Sequence, residues 1–581
     1  MTENRHVWRV VLILLAAVAV WFGLASRLVM LHLGRNEDLR GRVTRIRKVE
    51  QDILVGRGRI LDCNGNIVAM DLALRNVCAD PKTILEKGHL RIVGSHLARL
   101  LELDPAMVFS RLDRPDRRFE YIKMYVHDDV VQRIRRMQLS GVFFEDTSAR
   151  HYPKGELLSH VVGFSNQEGV GSAGVEQRMD SLLRGRAGLR ISERDGRRHE
   201  VYTRRSLDIA PQEGADVYLT LDQNLQYVVE KALDAAIEQH QAKGAWAIMQ
   251  RVGTGEILAM ANRPAYDPNE YRRTSPDLML NRSIGYVYEP GSTFKVAVIA
   301  AALNEGTVSP ETVFDCENGK WIFRGRPLHD YHPYGRLPVA DILKKSSNIG
   351  AAKVAMTLGD KRLEQYLRAF GVGRATGIEL PGEEAGILHP CQRWSALSVS
   401  RIAMGHEVCV TALQMLNIMC GIANNGFIMK PSIVKRVVDA RGHTITEFEP
   451  EVLSRPIRED TARLMQRLLT RTTEEGGTGA RARLEGYAVA GKTGTAQKVL
   501  PGGGYSQTAN IASFVGFLPS DHPEIGMIVV VDEPQPLRTG GAVAAPVFRE
   551  IAAQAVRYLN VEPSAPSGLA AIERGKAAGS L

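Results

Sequence analysis

Residues 10–26 read VVLILLAAVAVWFGLAS without a charge, and after Arg27 the apolar run resumes through Leu31. A helix needs about 20 apolar residues to cross the hydrocarbon core of a bilayer, and this stretch supplies them if Arg27 extends its guanidinium to the interface. Nothing comparable recurs downstream, so the expectation is one crossing, with the rest of the chain folding on one side of a membrane. The competing expectation is a signal peptide cut at the small residues Gly23-Leu24-Ala25, but the apolar character continues past that point. Arg5 and Arg9 precede the run, and Arg27, Arg35, Arg40 and Arg42 follow it, so charge counting does not set the orientation.

A chain of 581 residues suggests two to four domains at about 150 residues each. With 44% hydrophobic and 24% charged residues it is neither wholly disordered nor a many-pass membrane protein. The net charge of +9 suits nucleic acid, lipid headgroups or an acidic polymer, whereas aromatics at 6% weaken the case for a base-stacking platform. The cysteines at 63, 78, 316, 391, 409 and 420 form no C-x-x-C pair and are expected to be free, mostly buried thiols.

Residues 35–60 carry eight Lys/Arg and look like a juxtamembrane stalk. RGRILDCNGNIV (57–68) reads as two short strands joined at Asn64-Gly65. Short amphipathic helices are expected over 80–145, glycines crowd 163–188, and the polar turn 211–214 marks a domain boundary. A strand at 217–221 and a helix at 223–239 then open one large mixed segment, 216–557. It has helices near 293–304, 339–358 and 459–470 and a strand at 527–531. From 563 the composition is that of a disordered tail, and no internal repeat is found.

Three short motifs carry the chemistry. In EPGSTFKVAVIA (289–300), Pro-Gly precedes an apolar helix and sets Ser292 and Lys295 one turn apart on one face. A lysine amine there can reach a serine hydroxyl, and the helix N-terminus favours negative charge developing on the oxygen. In KSSN (345–348), Ser346 and Asn348 can share a cleft, although serine and asparagine are also ordinary helix caps. The third motif is AGKTGTA (490–496). Here GYAVAGKT (486–493) also satisfies the phosphate-loop pattern G-x-x-x-x-G-K-[ST], and MIVVVDE (527–533) resembles its partner strand, so an ATPase is a second hypothesis. Against it, a phosphate loop must open a helix, and Thr493 is followed by GTAQKVLPGGG. S-x-x-K, S-x-N about 50 residues on and K-T-G about 145 further together form the serine acyl-transferase set of penicillin-binding proteins and serine β-lactamases.

Other segments extend the likeness. RGRILDCNG (57–65) looks like the family segment R-G-x-I-x-D-R-N-G, with Cys63 where arginine is usual. RHYPKG (150–155) with His160, Gly163, Gly174 and Glu176, LTLD (219–222) with Leu225 and Gln226, TGEILAM (254–260) and YDPN (266–269) continue it. On these residues the chain resembles a class B penicillin-binding protein, of the FtsI-like, division-specific kind, from the anchor to about residue 557. Ser346-Ser347-Asn348, KTGTAQK (492–498) and VDEP (531–534) favour division over elongation, where S-x-D is frequent.

The resemblance implies an α+β fold: one N-terminal transmembrane helix, a β-rich pedestal, and a transpeptidase domain whose antiparallel sheet is flanked by helices. The segments are 1–34 as cytoplasmic tip and anchor, 35–214 as stalk and non-catalytic pedestal, 215–557 as transpeptidase, and 558–581 as disordered tail. It implies an inner-membrane protein with its catalytic domain outside the cytoplasm, probed by β-lactams and assembled with an FtsW-type glycosyltransferase and other divisome proteins. The reaction joins peptidoglycan stem peptides, with no cofactor, metal or nucleic acid. Ser292 is expected as nucleophile, Lys295 as base, Ser346 as proton relay and Asn348 as holder of the substrate amide. The backbone N–H groups of Ser292 and Thr495 are expected to form the oxyanion hole, and the Lys492-Thr493-Gly494-Thr495 strand to bind the substrate and its carboxylate. HDYH (329–332) is read as a cleft-facing loop rather than a metal site. The alternatives are an elongation enzyme, a β-lactamase or β-lactam sensor, which lacks the pedestal, and a non-enzymatic scaffold.

Overall fold

The computed structural model describes residues 3–33, 48–53, 55–194, 200, 201, 203, 205–500 and 502–564. Most of the basic stalk (35–47) and the tail from 565 lie outside the described residues. The chain divides into two units, one of Met1–Gly56 with Gly185–Glu213, the other of Arg57–Arg184 with Gly214–Leu581.

In the first unit a single helix, Glu3–Leu33, runs unbroken through Arg27. Its Val7–His32 portion has mean hydropathy 2.3 and is long and apolar enough to cross a membrane. Its large apolar side chains stand exposed, as on a helix that is apolar all round and meant for an apolar medium. The unit also holds a small antiparallel sheet, in which Gly188–Arg194 pairs with Lys48–Ile53, Glu200–Val201 and Leu207–Ile209.

Among the described residues the second unit contains two large sheets and three two-stranded ones. The first orders Thr444–Glu447, Val434–Val438, Asp216–Leu219, Ile60–Leu61, Ile67–Ala79 and Glu120–Val126, with Val142–His151 on Ile67–Ala79 as well. Strands from both sides of the turn at 211–214 therefore share one sheet, and Ile60–Leu61 joins Asp216–Leu219 in parallel. The expected hairpin after Leu61 forms, but across a five-residue loop. The Asp62 carboxylate accepts from the N–H groups of Asn64 and Asn66 and from Asn66 Nδ2, and only Gly65 takes positive φ (+87°). Cys63 faces Asp222 at 3.7 Å, and that carboxylate takes its stronger hydrogen bonds from Asn64 Nδ2 (2.7 Å) and Tyr558 OH (2.8 Å). All six cysteines are unpaired; Cys78, Cys316 and Cys420 are buried, and the other three are half-exposed. The 80–145 stretch holds the four helices Pro81–Glu86, Leu90–Leu100, Pro105–Leu112 and Asp128–Arg136, which pack on one face of this sheet, but also its strand Glu120–Val126 and the start of Val142–His151.

A buried ion cluster locks the motif segments together. Glu176, fully buried, accepts from Arg57 Nε (2.6 Å) and Arg150 Nε (2.6 Å), while Asp180 and Asp71 take the outer nitrogens. Tyr152 and Asn269 exchange two backbone–amide bonds (3.0 and 2.9 Å), which fastens the 150–155 segment to the 266–269 segment. Arg263, paired with Glu230 and Asp234, continues the link, because Glu230 also accepts from Leu158 N.

The second sheet is antiparallel throughout, in the order Ile257–Arg263, Gly244–Arg251, Ile525–Asp532, Tyr505–Leu518, Ala490–Val499. Helices cover both faces, which explains the unbroken apolar run of its central strand. Met527, Val529 and Val531 pack with the helices Gln223–His240 and Ala544–Tyr558, and Ile528 and Val530 with the cluster of Lys295–Asn304 and Ala412–Ala423. The helix expected at 339–358 is in fact two, Val339–Lys345 and Asn348–Ala369, and the second kinks at Gly359 (φ +72°).

Replacing Glu176 by Gln leaves two buried guanidiniums without their shared charge, and breaking a buried pair costs about 3–5 kcal/mol. We expect the thermal unfolding transition of this variant to drop by several degrees. Arg184→Ala, on the half-exposed partner of Asp180, should change stability by less than about 1 kcal/mol.

Candidate active site

Three elements converge on the cleft beside the edge strand. The chain enters through a 3-10 turn, Gly291–Phe294, before the helix Lys295–Asn304 begins, so Ser292 sits at the mouth of the helix and Lys295 one turn inside it. Ser292 is half-exposed, and its hydroxyl has no hydrogen-bond partner among the described residues. Lys295 is completely buried. Its Nζ donates to Ser346 O (2.6 Å) and Asn348 Oδ1 (2.7 Å) and lies 3.3 Å from Ser346 Oγ. In the neutral amine those two carbonyl oxygens can occupy both N–H bonds and leave the lone pair for the Ser346 hydroxyl at 3.3 Å.

The break between the helices explains how Ser346 and Asn348 reach the lysine. Ser346 ends the first helix in the left-handed region (φ +61°), a place usually taken by glycine. Ser347 then caps the second helix, its Oγ accepting from Gly350 N at 2.9 Å. Capping and chemistry are thus divided within the motif: the middle residue caps, and its neighbours turn inward.

The Lys492-Thr493-Gly494-Thr495 segment lies on Ala490–Val499, the edge strand, so the phosphate-loop-like match is extended chain with no helix after it. A Cβ at Gly494 would meet Thr293 Cγ2 at 2.9 Å and Pro290 O at 3.1 Å, and one at Gly291 would come 3.1 Å from Thr495 O. Glycine at these two positions lets the strand pass directly over the Ser292 turn. This brings the backbone of Thr495 against Gly291, the neighbour of Ser292. Lys492 is fully buried; its Nζ donates to Ser346 Oγ (2.9 Å) and Thr493 O (3.1 Å). Thr493 Oγ1 donates to Thr478 Oγ1 (3.0 Å), and Thr495 Oγ1 accepts from Gly540 N (3.1 Å).

Two buried amines therefore surround one serine hydroxyl. Burial pushes Lys295 down to about 7, with the nearby Asp330 carboxylate opposing the shift. Lys492 is held well below the ordinary lysine range, first by burial and then by Lys295. The arrangement can keep one amine neutral at working pH, close to a serine hydroxyl.

Residues that the motifs did not reveal complete the site. Asp330 accepts from Ser347 Oγ (2.6 Å), Ile349 N (3.0 Å) and Asn348 N, and His329 O accepts from Asn348 Nδ2 (2.9 Å). The HDYH loop does face the cleft, but through its aspartate and a main-chain carbonyl. Its signal was an acid between two histidines, which drew attention to the wrong side chains. On the other flank Glu289 accepts from His406 Nδ1 (2.7 Å), Glu407 N (3.0 Å) and Tyr505 OH (3.3 Å). No spacing rule joins residues so far apart in the chain.

Comparison with known proteins gives two family matches, "Penicillin binding protein transpeptidase domain" over 245–553 and "Penicillin-binding Protein dimerisation domain" over 52–219. The chain is 33% identical to peptidoglycan D,D-transpeptidase FtsI of Escherichia coli K12 over 89% of its own length and 86% of that protein's. It is 32% identical to stage V sporulation protein D of Bacillus subtilis over 87% and 79%. Among solved structures, penicillin binding protein 3 of Mycobacterium tuberculosis, complexed with aztreonam, superimposes with TM-score 0.70 at 27% identity, covering 89% of this chain and 99% of that one.

The burial of Lys295 predicts its titration directly. In the 13C spectrum of protein carrying 13C-labelled lysine, the signal lost in Lys295→Arg should titrate near pH 7, the amine being protonated below that point and neutral above it.

Proposed function

Because the chain belongs to the class B penicillin-binding proteins and is a peptidoglycan D,D-transpeptidase, we propose that it crosslinks stem peptides at the division septum. The identity to FtsI supports septal work, as do Ser346-Ser347-Asn348 and the KTGTAQK strand; the likeness to the sporulation protein keeps a specialised septum in view. Placement follows from the proposed topology. The Glu3–Leu33 helix anchors the chain with its N-terminus in the cytoplasm, the catalytic domain lies outside, and an FtsW-type glycosyltransferase with other divisome proteins works beside it.

The observation that carries the mechanism is the pair of buried lysines around Ser346 Oγ. Neutral Lys295 accepts the Ser292 proton as Oγ attacks the penultimate D-Ala carbonyl, forming the C–O bond. The N–H groups of Ser292 and Thr495 hold the oxyanion; one such donor is worth about 2.7–4 kcal/mol. The C–N bond then breaks, and the proton passes through Ser346 to the departing D-Ala amine. An extended donor peptide lies along the free edge of Ala490–Val499, its terminal carboxylate on Lys492 and Thr493 and its amide on Asn348. The amine of a second stem peptide attacks the ester, forms the crosslink and returns a proton to Ser292. A β-lactam enters the same sequence and stops at the ester.

Fluorescent penicillin should label the full-length protein in membranes, and Ser292→Ala should reduce labelling to background; equal labelling of that variant refutes Ser292 as the nucleophile. The acylation rate should climb as pH rises from 6 to 8, with a midpoint near 7, because Lys295 is a base only after losing its proton. A flat profile over that range removes Lys295 from the role. Depletion in the source organism should give filaments; rounded cells instead assign the protein to elongation.

A further inference from the structure

The turn that carries Ser346 and Asn348 is an unusual thing to build a proton relay on. Ser346 holds φ +61° without being glycine, a conformation that persists only where surrounding contacts over-determine it. Two helices meet at this point, and both must end in register with Lys295 for its amine to span Ser346 O and Asn348 Oδ1. Few contacts impose that register. Ser347 N bonds back to Ile342 O at 3.1 Å, and Ser347 Oγ caps Gly350 N. Among the described residues every remaining polar tie of Ser346, Ser347 and Asn348 to another segment, apart from those to Lys295 and Lys492, goes to 316 or to 329–330. Asp330 Oδ2 accepts from Ser347 Oγ, and Oδ1 accepts from the N–H groups of Asn348 and Ile349, the first free donors of the helix Asn348–Ala369. A carboxylate at a helix N-terminus is favourable electrostatically as well as by hydrogen bonding.

We propose that Asp330 is the positioning residue of this site: its carboxylate sets the Ser346–Asn348 turn against Lys295, and its negative charge faces that buried amine. This rests on the roles proposed above for Ser292 and Lys295. Asp330 touches no reacting atom in that scheme; it acts through Ser347 and the backbone of Asn348.

The charged and titratable groups around the carboxylate are few. Lys295 approaches from its helix, and Lys492 lies behind Ser346 from the edge strand. Cys316, whose Sγ lies 3.4 Å from Ser347 Oγ, and Tyr334 are both pushed up by burial and stay neutral through the working range. His329 adjoins it in the chain but offers Asn348 only its carbonyl. Lys353, one turn along the helix, is turned to Glu317 and to Asp315 O. Lys295 is thus the cation on which the Asp330 charge acts, and that charge opposes the effect of burial on its amine. Removing the charge while keeping the shape should leave Lys295 easier to deprotonate.

The test measures acylation by a fluorescent penicillin against pH for full-length protein, comparing wild type, Asp330→Asn and Asp330→Ala, with Ser292→Ala as control. Asparagine keeps an acceptor for the Asn348 and Ile349 N–H groups, so Asp330→Asn should hold its plateau rate within about threefold. Its rising limb should move to lower pH by half a unit or more. Alanine loses the cap, so Asp330→Ala should fall at least tenfold at every pH while keeping the wild-type unfolding midpoint to within a few degrees. A purely structural aspartate would not move the pH profile of the asparagine variant. Wild-type rates in Asp330→Ala, or an unmoved profile in Asp330→Asn, overturn the proposal. Persistent labelling of Ser292→Ala overturns instead the mechanism on which it rests.

Discussion

The cleft of the proposed active site centres on one hydroxyl with two buried amines beside it. Ser346 Oγ lies 2.9 Å from Lys492 Nζ and 3.3 Å from Lys295 Nζ, and both lysines are cut off from solvent. Two full charges so placed would repel in a medium that screens poorly, and each would also forfeit its hydration. Burial lowers both lysines and repulsion from Lys295 lowers Lys492 further, so the pair holds its protons less tightly than two exposed lysines would. That looser hold makes a lysine, ordinarily charged, available as a base.

The rest of the architecture serves to hold this unfavourable arrangement. Helices press on both faces of the antiparallel sheet, so the edge strand with Lys492 cannot retreat. Gly494 and Gly291 let that strand cross the Ser292 turn at backbone contact, where any side chain would collide with Thr293 or the strand itself. Farther off, the Arg57–Glu176–Arg150 cluster and the Tyr152–Asn269 exchange tie the non-catalytic part to the same unit. Burying those charges gives little net stability, but their directed hydrogen bonds admit one mutual arrangement of the segments.

Much of this was legible from local pattern. The apolar run gave the long helix, 459–470 was read to the residue, and the strand at 527–531 extended by only a residue or two at each end. The order of the three motifs placed their residues in one chemical set, and the fold does bring Lys295, Ser346, Asn348 and Lys492 together. What escaped was whatever depends on tertiary geometry. The periodicity of 339–358 is helical on both sides of the SSN motif, so no pattern shows that the helix stops at Ser346 and restarts. Asp330 was hidden because a single acid in an exposed-looking loop carries no period, and its partners are mostly backbone N–H groups. Likewise the sharing of a sheet across 211–214 comes from two-residue and four-residue strands too short to announce their partners.

The charge balance also gives a reason for substrate order. With the cleft empty, the Asp330 carboxylate acts on Lys295, whereas Lys492 is lowered by burial and by Lys295. On the proposed roles, a stem peptide brings a second carboxylate to Lys492 and Thr493. That charge favours the protonated form of Lys492, and a cationic Lys492 then disfavours a proton on Lys295 through the shared Ser346. Binding the donor would therefore complete the base at the moment the carbonyl arrives. A ligand lacking the carboxylate would fit the edge strand yet leave Lys295 less ready to take the Ser292 proton. Recognition of the terminal carboxylate and activation of the nucleophile are then two consequences of the same electrostatic pairing.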